Sequence, residues 1–226
     1  AVIFHTSTYA ATYDSIIGCT INAGSYGIYW NGATAYEAAN GFKNNTITNF
    51  YYYGIYVYYQ SAAYIYGNTI TSNSLYSTVY GISATLNQTA YNISNNIINV
   101  KGTSVNYGIY MSSMYVTAVS GISPQLSNNR VTVSNGTSTT YGIYMTSCYG
   151  FSGTPGINVN NNNVSLTNAP NTTIYGIYFS SCYSVAGQTT PFSISNNMVN
   201  LTGAATSTTY GIYGTGFYGV SGAPIN

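Results

Sequence analysis

The tripeptide Tyr-Gly-Ile begins at Tyr26, Tyr53, Tyr80, Tyr107, Tyr141, Tyr175 and Tyr210, at intervals of 27, 27, 27, 34, 34 and 35 residues. A fixed period of this length means stacked repeats, in a solenoid, a propeller or an array. The content of the repeat chooses among them. Its segments are β-branched and aromatic, alternate with period two and are punctuated by Asn and Gly, which is the pattern of short strands and turns. A propeller blade needs about 40 residues and four strands. Twenty-seven residues hold three short strands and three turns, one coil of a parallel β-helix. The step to 34–35 residues after Tyr107 reads as an insertion at one turn, lengthening a loop on one side.

Aligning the repeats gives columns. Ile follows Tyr-Gly at Ile28, Ile55, Ile82, Ile109, Ile143, Ile177 and Ile212, and two residues on lie Trp30, Val57, Ala84, Met111, Met145, Phe179 and Gly214. Positions i and i+2 of a strand share a face, so both columns are predicted to point to the core. A second strand contributes Ile21, Ile47, Ile70, Ile98, Val131, Val164 and Val199, and a third Ile16, Phe42, Ile65, Ile93, Leu126, Val159 and Ile194. Two residues before each second-strand aliphatic sit Cys19, Asn45, Asn68, Asn96, Asn129, Asn162 and Asn197. Asn tolerates the left-handed backbone of a sharp corner. Stacked amides can also hydrogen-bond from coil to coil, so an internal Asn ladder is expected, broken by Cys19 at one end.

The fold predicted is all-β: a right-handed parallel β-helix of about seven to eight coils, three strands per coil, forming one domain over residues 1–226. The hand is that of crossovers between parallel strands in general. The corner phrases "SNNI", "SNNR" and "SNNM", each leading into an alternating aliphatic strand, resemble those of the pectate-lyase-like parallel β-helix superfamily. That resemblance implies the scaffold over nearly the whole chain and leaves function open, since lyases, tailspikes, adhesins and surface-layer proteins share it. The Tyr-, Asn-, Thr- and Ser-rich style is similar to that of extracellular proteins of thermoacidophilic archaea. Ala1-Val2-Ile3-Phe4 reads as a worn Tyr-Gly-Ile-Tyr strand, and the last residues stop partway through a coil. Either the chain is a segment of a longer array or identical subunits join end to end.

Charged residues make up 2 % of the chain, against roughly a quarter in ordinary soluble proteins. No run of 18 apolar residues exists, so no transmembrane segment is expected. No basic patch is available for phosphates, so nucleic acid is not expected as a partner. Regular spacing of 28 Tyr argues against disorder. Three cysteines make no disulfide framework. No signal segment is visible at Ala1, so any such segment is expected to have been removed or to lie outside this sequence. With Asp14 and Glu37 the whole carboxylate inventory, acid has little to titrate.

The other charged or basic groups are Lys43, Lys101, Arg130 and His5. They read as scattered surface charges, with Arg130 roughly 20 Å from Asp14 at the coil spacing. The one carboxylate pair left open for glycosidic chemistry is Asp14 with Glu37. A calcium β-roll needs Asp in every repeat, and one His with three Cys makes no ligand set, so no metal, cofactor or catalytic residues are expected. Cys148 and Cys182 occupy equivalent places between Met114 and Phe217, as buried free thiols or a disulfide across adjacent coils. The Thr-x-Thr pairs at Thr46 to Thr48 and Thr69 to Thr71 are not continued in later coils, which argues against ice binding. Sequons occur at Asn44, Asn87, Asn92, Asn135, Asn163, Asn171 and Asn200, no more than chance pairing of so many Asn, Ser and Thr provides.

The two tyrosines around Gly-Ile have opposite parity, so they cannot both point inward. The second row, Tyr29, Tyr56, Tyr110, Tyr144, Tyr178 and Tyr213, interrupted by Ser83, is expected to face out as an interaction stripe. The Gly row from Gly27 to Gly211 is expected to keep a strip beside it bare. The stripe could stack on itself, pack against another chain or carry sugar rings. The expectation drawn is a non-enzymatic extracellular structural protein of a cell or virion surface, a subunit of a filament, sheath, fibre or adhesin. It would self-associate through solenoid ends and Tyr-rich faces. The alternative is a carbohydrate- or host-binding adhesin or tailspike, and the third reading a polysaccharide-active enzyme.

Overall fold

The computed structural model of the chain describes residues 3–6, 10–32, 36–74, 78–88, 90–117, 122–134, 136–167, 172–202 and 208–219. Among them there is no helix, and the strands form two parallel sheets, one of 16 strands and one of 7. The chain winds as a parallel β-helix. Three faces result: a tyrosine face and a second face, both in the larger sheet, and a third face formed by the smaller one. The larger sheet covers two faces because long strands such as Thr20–Asn31 and Thr46–Ser61 run through the corner between them.

The predicted columns are the observed registers. Ile109 pairs with Ile82 and Ile143, Val131 with Ile98 and Val164, and Leu126 with Ile93 and Val159. Ile3 pairs with Ile28 and Phe4 with Tyr29, so Ile3 and Phe4 of the worn strand belong to a coil strand, while Ala1 and Val2 lie outside the described residues. Ile55, Ile82, Ile109, Ile143 and Ile177 are wholly buried, each contributing about 2 kcal/mol by removal from water. The insertion falls after the tyrosine strand. Strand Asn92–Ser94 begins 12 residues after Tyr80, whereas Gln125–Ser127 begins 18 after Tyr107.

The Asn ladder is present. The side-chain amide of each Asn donates to the Oδ1 of the next, Asn45 to Asn68, Asn68 to Asn96, Asn96 to Asn129, Asn129 to Asn162 and Asn162 to Asn197, at 2.9–3.0 Å. Its other N–H donates to a third-strand carbonyl, as Asn129 does to Ile93 at 2.9 Å. Cys19 closes the row through its backbone N–H, which donates to Asn45 Oδ1.

Two details differ from expectation. The left-handed corner residue is not the ladder Asn but the residue before it: Gly18, Asn44, Gly67, Asn95, Asn128, Asn161 and Asn196 have φ between +53 and +68°. That turn frees the ladder Asn to point inward. The Gly row also faces the core rather than the outside. A Cβ at Gly108 would lie 2.1 Å from Val131 Cγ1, and one at Gly142 would lie 2.2 Å from Val164 Cγ1. Strict alternation fails at Tyr-Gly-Ile, where Gly and Ile are both buried in successive coils. The corner requires two inward residues in succession, and the first has no room for a side chain.

Candidate functional site

Because Gly and Ile both turn inward, both tyrosines turn outward. Tyr26, Tyr53, Tyr80, Tyr107, Tyr141, Tyr175 and Tyr210 form one unbroken stack of near-parallel rings, with centroids 4.6–5.1 Å apart. The stack runs roughly 30 Å along the axis, six steps of the strand spacing. The predicted stripe lies beside it and touches it edge-on, Tyr107 to Tyr110 at 5.4 Å and Tyr53 to Tyr56 at 5.3 Å. Within the stripe Phe4, Tyr29 and Tyr56 stack, Ser83 interrupts, and Tyr110, Tyr144, Tyr178 and Tyr213 continue.

A further row escaped the sequence reading. Tyr115, Tyr149, Tyr183 and Tyr218 are in register past the next corner, Tyr149, Tyr183 and Tyr218 stacked at 4.5–5.1 Å and Tyr115 tilted against Tyr149 at 4.9 Å. The signal was present in the tyrosine that follows Cys148 and again Cys182.

Burial raises the phenol pKa of Tyr141, to about 12, with repulsion from neighbouring phenolates at Tyr144, Tyr175 and Tyr178 adding to it. Tyr149 is likewise pushed up to about 12 by burial and by Tyr183 and Tyr115, and burial also pushes up Tyr80 and Tyr107. The folded chain therefore holds phenolic protons that the unfolded chain, titrating near 10, has released. The resulting stabilisation is complete below about pH 10 and is lost as pH rises through about 12. Thermal unfolding followed between pH 8 and 12, beside the phenolate absorbance, is expected to show the melting temperature falling as the phenols ionise. A melting temperature flat across that range would contradict it.

The charged residues are not all surface charges. Glu37 is fully buried, on the short strand Glu37–Ala38. Its Oε1 accepts from His5 Nε2 at 2.9 Å and from the Ala11 N–H at 3.1 Å. Its Oε2 accepts from Trp30 Nε1 at 2.8 Å, Gln60 Nε2 at 3.1 Å and Asn40 Nδ2 at 3.4 Å. His5 stacks on Trp30 at 4.3 Å. Burial alone would raise the carboxyl pKa, but the hydrogen bonds from His5, Gln60, Ala11 and Trp30 outweigh it and hold it below the ordinary value. Glu37 opens an inward polar column, pairing with Gln60, which pairs with Asn87. Asp14 is exposed, its backbone N–H donating to Asn40 Oδ1. Asp14 and Glu37 are thus not two carboxylates facing one cleft.

Among the other positions, Lys43 lies over the Tyr64 ring at 5.4 Å and Arg130 is exposed on the second face. Cys148 and Cys182 are buried free thiols, donating to Thr146 O at 3.3 Å and Ser180 O at 3.5 Å. Asn87 is a correction to the sequon set. Its side chain is buried and its Oδ1 accepts from the Gln60 N–H at 3.0 Å, so it presents no amide to a glycan. Asn44 and Asn200 are exposed, Asn92 and Asn163 half-buried, and Asn135 and Asn171 lie outside the described residues. Among the described residues no group of His, Cys, Asp and Glu has metal-holding geometry, and no helix is long and apolar enough to cross a membrane.

No protein-family model matches the chain, and no curated protein matches it in sequence. Among solved structures it is similar to the A-module of the Azotobacter vinelandii mannuronan C-5 epimerase AlgE6, at 12 % identity and a TM-score of 0.35. The match covers 92 % of this chain and 65 % of that one, so the chain spans just under two-thirds of that module.

Proposed function

We propose that the chain is a non-enzymatic extracellular structural protein, a subunit of a surface filament, sheath, fibre or adhesin that associates through its tyrosine face. On this reading it belongs with the pectate-lyase-like β-helices of cell or virion surfaces. The observation that carries the proposal is the paired rows from Tyr26 to Tyr213 on one side of a solenoid with 2 % charged residues. Tyr provides large contact area at low conformational cost and is enriched at interfaces. A surface with few charges offers little self-repulsion to oppose association.

Stacking within the rows bears on the alternative. A sugar ring packs on an aromatic face, and here most faces are covered by the tyrosine of the next coil, leaving edges and hydroxyls outward. Protein contact suits such a surface better than a glycan platform. An enzymatic role has less support, because Glu37 has protein donors on both its oxygens and Asp14 stands apart from it.

Sedimentation and electron microscopy at rising concentration test the proposal. The protein is expected to form filaments or sheets, and Tyr144→Ser with Tyr178→Ser to raise the concentration needed about tenfold without loss of fold. A chain that stays monomeric at high concentration across pH and salt would overturn it.

A further inference from the structure

Two exposed features of the chain have matching chemistry, and their charged groups make no ion pair among the described residues. The first is a knob. Thr12, Tyr13, Asp14 and Ser15 are all exposed, and Tyr13, at 79 %, is more exposed than any other large hydrophobic among the described residues. Tyr13 stands at a left-handed corner, φ +62°, whose counterparts in the next two coils are Ala39 and Ala62 at +55° and +53°. A turn that carries a methyl group in the next two coils here carries a phenol. Asp14 follows it and is the one side-chain carboxylate outside the core, since Glu37 is buried. It makes no ion pair among the described residues.

The second feature is a socket on the second face, about five coils further along. An open groove of about 490 Å³ runs between Arg130, Thr132, Asn163, Ser165, Met198 and Asn200. Arg130, Asn163 and Met198 form one row across three coils, with Thr132, Ser165 and Asn200 in the next. The Cα atoms of Arg130 and Met198 therefore lie about 10 Å apart, two strand spacings, with Asn163 between them. Met198 is 57 % exposed and Arg130 has no carboxylate partner among the described residues. A groove with a guanidinium at one end and a thioether at the other complements a carboxylate next to a phenol, through a bidentate ion pair and a sulfur–aromatic contact.

We propose that the Tyr13–Asp14 corner of one copy seats in the Arg130–Met198 groove of another, Asp14 pairing with Arg130 and the Tyr13 ring covering Met198. This rests on the assembly reading above and names the contact that directs it. Knob and socket are different surfaces at different heights on the solenoid, so the contact is heterologous and leaves a free knob and a free socket at the ends of every open assembly. Such a contact propagates head to tail, as an open chain of copies unless its rotation closes a ring. With so few charges on the molecule, one complementary pair can set the register between copies.

Charge exchange tests it on the full chain, with light scattering and sedimentation as readouts. Asp14→Arg and Arg130→Asp are each expected to raise the concentration for assembly by about tenfold or more. The double variant Asp14→Arg, Arg130→Asp restores the pair in reverse and is expected to recover assembly. Lys101→Glu, a charge change outside both features, is expected to have no effect. Both sites are exposed, so unchanged melting temperatures would show that every variant folds. Single variants that assemble like the parent, or a double variant that stays defective, would overturn this contact while leaving the tyrosine face in place. A parent chain that never assembles would remove the reading beneath it as well. A glycan found on Asn163 or Asn200 of native material would fill the groove and also overturn the proposal.

Discussion

Gly142→Ala is expected to lower stability by about 3 kcal/mol, although it adds one methyl group. On a strand interior the same exchange ordinarily stabilises, because Ala has less backbone freedom to lose than Gly. Here the added carbon would lie 2.2 Å from Val164 Cγ1, 2.6 Å from the Gly176 carbonyl oxygen and 3.0 Å from Leu166 Cδ1. Val164 and Leu166 are fully buried in the next coil, and the oxygen belongs to the backbone of a strand it cannot leave without disturbing the ladder. Relief would therefore require shifting one coil against another. Gly108→Ala meets the same obstacles, Val131 Cγ1 at 2.1 Å and Gly142 O at 2.6 Å. Gly211 occupies the same row, but a Cβ there meets nothing within 4 Å, so Gly211→Ala is expected to be neutral or slightly stabilising. Denaturant unfolding of the three variants makes the comparison. A Gly142→Ala chain as stable as the parent would show that the row does not face the core.

Removing one rung of the ladder has an effect of similar size for a different reason. Asn129 Oδ1 accepts from the Asn96 backbone N–H at 3.1 Å and the Asn96 side-chain amide at 3.0 Å, while its own amide donates to Ile93 O and Asn162 Oδ1. Asn129→Ala leaves two donors of Asn96, its backbone N–H and one side-chain N–H, without partners in a buried site. At roughly 1–3 kcal/mol for each orphaned group, the expected loss is about 4 kcal/mol. Asn45→Ala is expected to lose less, since Asn45 accepts from one donor, the Cys19 N–H, at the end of the row. Hydrogen exchange separates the ladder from general packing. The Asn96 amide should lose protection in Asn129→Ala while amides of the tyrosine strands keep theirs. Equal exchange throughout would mean that the ladder contributes nothing particular to the corner.

How much of this was legible in advance depended on whether a residue belongs to a row. Ile109, Ile143 and Ile177 recur at the period, so stacking follows from the period alone, and the registers agree. Asn68, Asn96 and Asn129 were legible for the same reason, because identical amides one strand spacing apart have few other ways to satisfy themselves in a dry interior. Parity misled at Tyr-Gly-Ile, since alternation holds along a strand and not through the bend where Gly108 and Ile109 both turn in. Glu37 and His5 were misplaced for another reason. Each occurs once, so no column constrains it, and a lone carboxylate in a chain of neutral residues reads as a surface charge until its donors are seen. The Tyr13 corner is the same case: its exposure follows from standing where other coils have Ala39 and Ala62.

Repetition in the chain was enough to specify the winding, the three aliphatic columns and the amide ladder. Each of these is a relation between like residues one coil apart, and the spacing of coils is a property of the backbone. Packing in three dimensions settled which way the Gly row points, that both tyrosine rows lie outside, and that Glu37 is sealed while Asp14 and Arg130 stand free. Those outcomes turn on contacts between unlike residues from different parts of a coil, where available space and unpaired hydrogen-bonding groups decide and periodicity carries no information.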